Sequence, residues 1–240
     1  MRAMILAAGE GTRLRPITET TPKALVRVAS RPLIDYALAT VARSGITDVV
    51  VNLHYLGHMI REHVGDGSAY GLDVRYSEEN PLLGSGGGIV AARELLGEST
   101  FVTLNADTIV EADLDELVSH HQKEKAKATM LLRKDPRMEQ FGLIHIDGSG
   151  RIRRFLHHEG PGADTDLDPF MFTGVQVLEP DVFDYMPAEG AFSITAVTYP
   201  EMLAAGEPLH GRAFDGRWIT VGTPAELAAA NSELSITAPS

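Results

Sequence analysis

Six apolar residues in a row, Ala3-Met4-Ile5-Leu6-Ala7-Ala8, run straight into Gly9-Glu10-Gly11, and that junction constrains the fold more than any other feature of the chain. A run this short, closed by glycine, has the length of a strand buried on both faces rather than of a helix. Residues 9–22, rich in Gly, Thr and Pro, predict a loop. The chain then alternates. Leu33–Arg43 carries apolar residues at helical spacing, Asp48–Leu53 is a second β-branched run, Leu56–Val64 reads as a short helix and Leu72–Tyr76 as a strand. After glycines 86–88, Ile89–Leu96 reads as a helix and Thr100–Leu104 as another buried strand. Strands separated by helices of this length build βαβ units on a mostly parallel sheet.

The second half predicts more strand. Ala128–Arg133, Leu143–Asp147, Ile152–Leu156, Phe172–Leu178 and Trp218–Val221 are strand candidates, with a hairpin turn at Asp147-Gly148-Ser149-Gly150. Asp181–Tyr185 and Tyr199–Ala205 read as helical, and Pro224–Leu234 as a closing helix with Pro near its start. Glu159–Pro169 reads as a flexible acidic loop. The expectation is one α/β domain over 1–240: a doubly wound part (1–127), a β-rich part (128–222) and a C-terminal helix and tail (223–240). The apolar residues of 195–210 suit a dimer contact or the core, leaving monomer and homodimer open.

Charge and composition remove whole classes of function. The chain has 21 Lys+Arg against 33 Asp+Glu, which disfavours a nucleic-acid binder. It has no cysteine, hence no disulfide framework, thiol nucleophile or cysteine zinc site. No run reaches the roughly 18 apolar residues of a membrane span, and the first residues lack the apolar core of a signal peptide. The expected setting is the cytoplasm, with no membrane or nucleic-acid partner. Within this acidic chain the first 31 residues hold six basic groups (Arg2, Arg13, Arg15, Lys23, Arg27, Arg31) against Glu10 and Glu19. A cationic segment of that kind suits a local anion such as a phosphate chain; solvated surface charge is the plainer reading.

A glycine loop directly after the first parallel strand sets backbone N–H groups at the carboxyl end of the sheet, where anions bind. Two known phosphate motifs fail here. The dinucleotide fingerprint needs glycine where Leu14 stands, and no Gly-Lys-Ser/Thr follows. Arg13 and Lys23 are then the cationic arms that a phosphate would meet. Each has an ordinary alternative: the loop a tight turn, Lys23 a solvated lysine, Asp107 a turn or cap residue, and Gly86-Gly87-Gly88 a flexible helix start. His54, His58 and His63, like His120-His121 and His157-His158, read as polar surface rather than metal ligands.

From Leu6 to Lys23 the pattern L-A-A-G-x-G-T-R-L-x-P-x-T-x-x-x-P-K resembles the signature of the sugar-phosphate nucleotidyltransferases. The resemblance continues in Pro32–Tyr36, Gly84-Ser85-Gly86-Gly87-Gly88-Ile89, Asn105-Ala106-Asp107, Phe172-Thr173-Gly174 and Trp218–Pro224. The stretch His63–Ser68 to Tyr76-Ser77 is most similar to the N-acetylmuramate-1-phosphate uridylyltransferases, with mannose- and heptose-phosphate guanylyltransferases close behind. The resemblance implies a Rossmann-like doubly wound mixed sheet with a β-rich sugar-binding region. It implies transfer of a nucleoside monophosphate from an NTP to a sugar 1-phosphate, with Mg2+. Arg13 would hold the β- and γ-phosphates over the backbone of Gly9, Gly11 and Thr12; Lys23 would meet the α-phosphate and Asp107 the magnesium. Ala8, Gly9, Gly84 and Ser85 would line the base pocket, and Gly142, Thr173 and Gly174 would meet the sugar.

Three positions depart from the family pattern. Ala106 replaces a Gly or Ser. Thr220 stands where many members have an Asp that gives the metal a second carboxylate, a place Asp215 could fill. Leu156-His157-His158 lacks the Lys of the Glu-Lys-Pro found in guanylyl- and thymidylyltransferases. Thr220 therefore keeps a second class of reading open, a non-catalytic nucleotide-sugar-binding relative; a nicotinamide dehydrogenase is a distant third. The chain ends at Ser240, soon after the last core helix, so no appended acyltransferase-like repeat is expected.

Overall fold

The computed structural model describes residues 1–164 and 166–236. Residue 165 of the acidic stretch and residues 237–240 of the tail lie outside the described residues.

The first half alternates as its hydrophobic pattern requires. β1 (Arg2–Leu6) leads through the hairpin β2 (Arg27–Val28) and β3 (Arg31–Pro32) into α1 (Leu33–Arg43). β4 (Asp48–Leu53) is followed by α2 (Gly57–Val64), and β5 (Asp73–Glu78) by α3 (Gly84–Ala91) and α4 (Arg93–Leu96). β6 (Phe101–Asn105) precedes β7 (Thr108–Val110) and α5 (Leu114–Glu124). The second half opens with β8 (Ala128–Arg133) and α6 (Met138–Phe141), then β9 (Ile144–Ile146), β10 (Ile152–Phe155) and β11 (His158–Glu159). The long β12 (Asp168–Leu178), α7 (Thr198–Ala204), β13 (Leu209–Ala213), β14 (Trp218–Thr220) and α8 (Pro224–Ile236) complete it.

The central sheet runs β13-β8-β12-β6-β1-β4-β5. Every neighbouring pair is parallel except those that β12 makes, antiparallel to both β6 and β8. β12 begins at Asp168, inside the stretch that composition marks as an acidic loop. Its first residues, 168–170, pair with β9, which carries the β10–β11 hairpin as a side extension. Backbone pairing, blind to the side chains' polarity, overrides the loop-like composition there.

Successive residues of the inner strands face opposite layers, as the period of two demands. Ala3, Ile5, Val49 and Val51 pack against α1, α2 and α5, while Met4 and Val50 pack against α3, α4 and the α7 side. Each such valine or isoleucine contributes about 1.5–3 kcal/mol of transfer free energy. Tyr199, Met202, Leu203 and Leu209 lie in the second of these cores, so the apolar residues of this stretch are interior. His121 is also interior, 1% exposed, and not part of a polar surface face. His54 precedes α2 rather than lying on it. Among the described residues no helix is long and apolar enough to cross a membrane.

Candidate active site at the switch point

β1 lies between β4, reached through α1, and β6, reached through α3 and α4, so strand order reverses direction at the carboxyl end of β1. Open α/β sheets form their ligand crevice at such a point. The loops after β1 and β6 are tied together here, the Ala106 N–H donating to the Leu6 carbonyl at 3.0 Å. Ala8 is buried, and a β-carbon on Gly9 would meet nothing within 4 Å, so the loop presents bare backbone to open space.

Beyond Gly9 the loop tightens into 3-10 turns at Thr12–Leu14, Ile17–Glu19 and Lys23–Leu25 rather than running irregularly to residue 22. Gly11, at φ 65°, takes the left-handed conformation that starts the first turn; a β-carbon there would stand 2.9 Å from Lys23 Cβ. Leu14, fully buried with Val26, Leu33, Ile219 and Val221, anchors the segment. Thr12 and Arg13 stay exposed. The Arg13 guanidinium lies over Gly222, where a β-carbon would stand 2.8 Å from its Nη2.

Lys23 Nζ donates to Asp107 Oδ2, an ion pair whose side chains are 12% and 34% exposed. Asp107 Oδ1 accepts from Thr108 Oγ1 at 3.1 Å, and its carbonyl accepts from the Val221 N–H. β14 pairs antiparallel with β7 so that Thr220 stands opposite Thr108, beside Asp107. A cavity of about 40 Å³ lies among Leu6, Gly9, Lys23, Ala106 and Asp107. A larger one, about 490 Å³, opens beside Arg43 and Glu111–Asp115, without the glycine loop or Lys23.

The side toward β12 is built by a register shift between Phe172 and Gln176. Gly174, at φ 89°, sits in the shift, and a β-carbon there would stand 2.7 Å from Asn105 Nδ2. Thr173 has its hydroxyl donated to the Leu131 carbonyl and its carbonyl accepting from Trp218 Nε1 at 2.9 Å, so both groups are spent on the frame. Gly142, at φ 89°, lies between α6 and β9, where a β-carbon would overlap Leu156 Cδ2.

On the opposite side, Gly84 and Ser85 open α3, which begins at the glycines rather than after them and is interrupted at Ala92. The Gly86 N–H donates to the Phe192 carbonyl and Ser85 Oγ accepts from the Ile194 N–H. Pattern reading missed Asn52 and Glu79, 3% and 4% exposed, which link this side to the loop after β1. The one signal was an amide inside the otherwise apolar run Val49–Leu53.

Magnesium prefers near-octahedral oxygen ligands, keeps several waters, and is commonly bound by one or two carboxylates plus substrate phosphates. Asp107, bonded to the Thr108 hydroxyl and with Thr220 across the ladder from Thr108, fits that kind of binding. Among the described residues no group of three His, Asp or Glu is placed to hold a metal, so Asp215 joins no such cluster.

The chain matches the family model described as "Nucleotidyl transferase" over residues 2–236. It is 34% identical to an N-acetylmuramate alpha-1-phosphate uridylyltransferase of Neisseria meningitidis serogroup B, over 95% of each chain. It is 32% identical to a mannose-1-phosphate guanylyltransferase of Mycobacterium tuberculosis, over 97% of this chain and 64% of that one. The chain spans less than two thirds of the length of several curated relatives. A Bacillus anthracis crystal structure assigned as a glucose-1-phosphate thymidylyltransferase, in complex with sucrose, superimposes with a TM-score of 0.83 at 25% identity, covering 100% of this chain and 97% of that one.

Proposed function

Because the chain belongs to the nucleotidyl transferase family, we propose that it transfers a nucleoside monophosphate from an NTP to a sugar 1-phosphate, releasing pyrophosphate. The observation that carries this reading is the Lys23–Asp107 pair set beside an open glycine loop at the switch point. The sugar-phosphate oxygen attacks the α-phosphorus in line with the departing pyrophosphate, a step that needs alignment and charge neutralisation rather than a covalent nucleophile. Arg13 holds the β- and γ-phosphates above the N–H groups of Gly9, Gly11 and Thr12. Lys23 turns its ammonium from Asp107 to the α-phosphate, where negative charge grows in the transition state. Asp107, freed by that turn, would hold magnesium, which would supply charge neutralisation to the phosphates. Ala8, Gly9, Gly84 and Ser85 bound the base; Gly142, Gly174 and the main chain of Thr173 bound the sugar.

UTP with N-acetylmuramate 1-phosphate is the preferred pair. The identity to the neisserial uridylyltransferase over nearly the full length of both chains supports it, as does the absence of the Glu-Lys-Pro lysine. A guanylyltransferase acting on mannose or heptose 1-phosphate is the second reading, supported by the mycobacterial relative. The protein acts in the cytoplasm as a monomer or homodimer. Pyrophosphate release with magnesium across five NTPs and a panel of sugar 1-phosphates tests all of this, with Asp107→Asn as control. Release for one pair, lost in the control, supports the enzyme and names its substrates. Nucleotide binding without release from any pair would favour a non-catalytic binder.

A further inference from the structure

Two backbone N–H groups on opposite sides of the crevice point at the same pair of buried side chains. The Ala7 N–H, at the root of the glycine loop, donates to Asn52 Oδ1 at 2.7 Å. Asn52 Nδ2 donates to Glu79 Oε1 at 2.7 Å. Glu79 Oε2 accepts from the Leu83 N–H at 2.8 Å, one residue before Gly84-Ser85. α3 lies directly on this pair: a β-carbon on Gly88 would overlap Glu79 Oε1 and stand 2.9 Å from Asn52 Nδ2. The Glu79 carboxylate is thus held by hydrogen bonds alone, with no ion pair recorded to it among the described residues.

The polarity of this relay calls for one amide and one carboxylate. Both ends are donors that cannot be reversed, so the two side chains between them must present an acceptor at each end and a matched pair in the middle. An amide followed by a carboxylate does this; an amide followed by an amide leaves donor facing donor, either between the two side chains or at Leu83. A buried carboxylate is costly unless fully bonded, so its presence here calls for a reason beyond packing.

We propose that Asn52 and Glu79 are positioning residues that hold the loop Ala7–Gly9 and the α3 start at a fixed separation, and so set the affinity for the nucleotide. The proposal rests on the assignment of those two segments to the nucleotide given above. Neither residue touches substrate; each acts through backbone it holds.

The test is a polarity swap read by calorimetric titration of the preferred NTP with magnesium, and by the KM of each substrate. Glu79→Gln keeps the shape but sets donor against donor, and is expected to weaken NTP binding about tenfold or more. The sugar 1-phosphate KM should stay within about twofold, since that substrate's side of the crevice is not held by the relay. The double variant Asn52→Asp/Glu79→Gln restores the order with the carboxylate and the amide exchanged. The carboxylate introduced on β4 accepts from the Ala7 N–H and from the introduced amide, whose oxygen accepts from the Leu83 N–H. The variant carries the same charge and should return NTP affinity to within about threefold of the wild type.

Glu79→Gln binding NTP like the wild type, even with a lowered Tm, would overturn the proposal and leave the pair a strut of the fold. So would a double variant that binds no better than the single one. If Glu79→Gln does not fold, the double variant decides: wild-type affinity supports the relay, and weak binding or failure to fold overturns it. Absence of NTP binding in the wild type would instead overturn the nucleotide assignment, a separate result from either.

Discussion

Lys23 and Asp107 are each other's partners in the structure, yet the proposed chemistry needs both facing substrate. Without ligand one lysine satisfies one carboxylate; in the proposed mechanism both are released when phosphate and cation arrive together. In the proposed site Thr220, across the ladder from Thr108, is the neighbour expected to set how strongly the cation is held. A hydroxyl brings no charge; an aspartate there would add a second carboxylate beside Asp107. Thr220→Asp is therefore expected to lower the Tm without magnesium, since two carboxylates would share one lysine. It should also tighten magnesium binding about tenfold, equivalent to about 1.4 kcal/mol. Thermal unfolding with and without magnesium checks the first, and a metal titration the second. An unchanged metal affinity would mean that position 220 does not face the ion.

α3 shows how far an element can depart from the preferences of its residues. Gly-Ser-Gly-Gly-Gly opens it, although glycine disfavours helix by about 1 kcal/mol per residue relative to alanine. The helix exists because its glycine face lies flush against the 190–194 segment and the Asn52–Glu79 pair. A β-carbon on Gly87 would overlap the Gly190 carbonyl oxygen, a backbone atom with little freedom to yield. Gly87→Ala should then destabilise the fold by about 1–3 kcal/mol net of improved helix propensity, because overpacking outweighs it. Denaturant unfolding measures this, and a gain in stability would refute the account.

The same balance explains what was legible in the sequence. β1, β4, β6 and β8 announce themselves through contiguous apolar or β-branched runs, whose burial is decided by residue type. α5 escapes such reading because its inward stripe, Leu114, Leu117, Val118 and His121, has a histidine in the apolar place. β13, with His210, Gly211 and Arg212, is a strand only because β8 offers it a ladder. In the site, the glycine loop and Lys23 are visible in the residues after the first strand, and Asp107 through the family resemblance carried by Asn105-Ala106-Asp107. Asn52 and Glu79 are not, because they lie 27 residues apart and only the β4–β5 pairing brings them together.

At the scale of the whole molecule, several histidines oppose acid. Burial lowers the pKa of His120, His121, His145 and His210; for His121 this prevails over its neighbour Glu179. His121 lies 3.0 Å from Glu179 Oε1 through Nε2 and 2.9 Å from Thr129 Oγ1 through Nδ1. A neutral ring donating to Glu179 and accepting from the Thr129 hydroxyl satisfies both. A base whose folded pKa is depressed takes up fewer protons folded than unfolded, so its stabilising effect is full above the unfolded value. It is lost as pH falls below about 6.5 toward the folded values. The Tm should therefore drop between pH 7.5 and pH 5, above the range in which most carboxylates titrate. A flat Tm across that interval would contradict this assignment.

On the ribosome, order of appearance matters as well as final arrangement. β1, β4, β5 and β6 emerge first and leave one side of β6 open. β8 follows, and neither of its partners has yet been made. Until Asp168–Leu178 arrives, two strand edges can pair with any extended chain nearby. When β12 threads antiparallel between β6 and β8, it closes the facing edge of each at once, and β13 later covers the other side of β8. The strand that unites the finished sheet is the one whose lateness leaves the nascent chain most open to its neighbours.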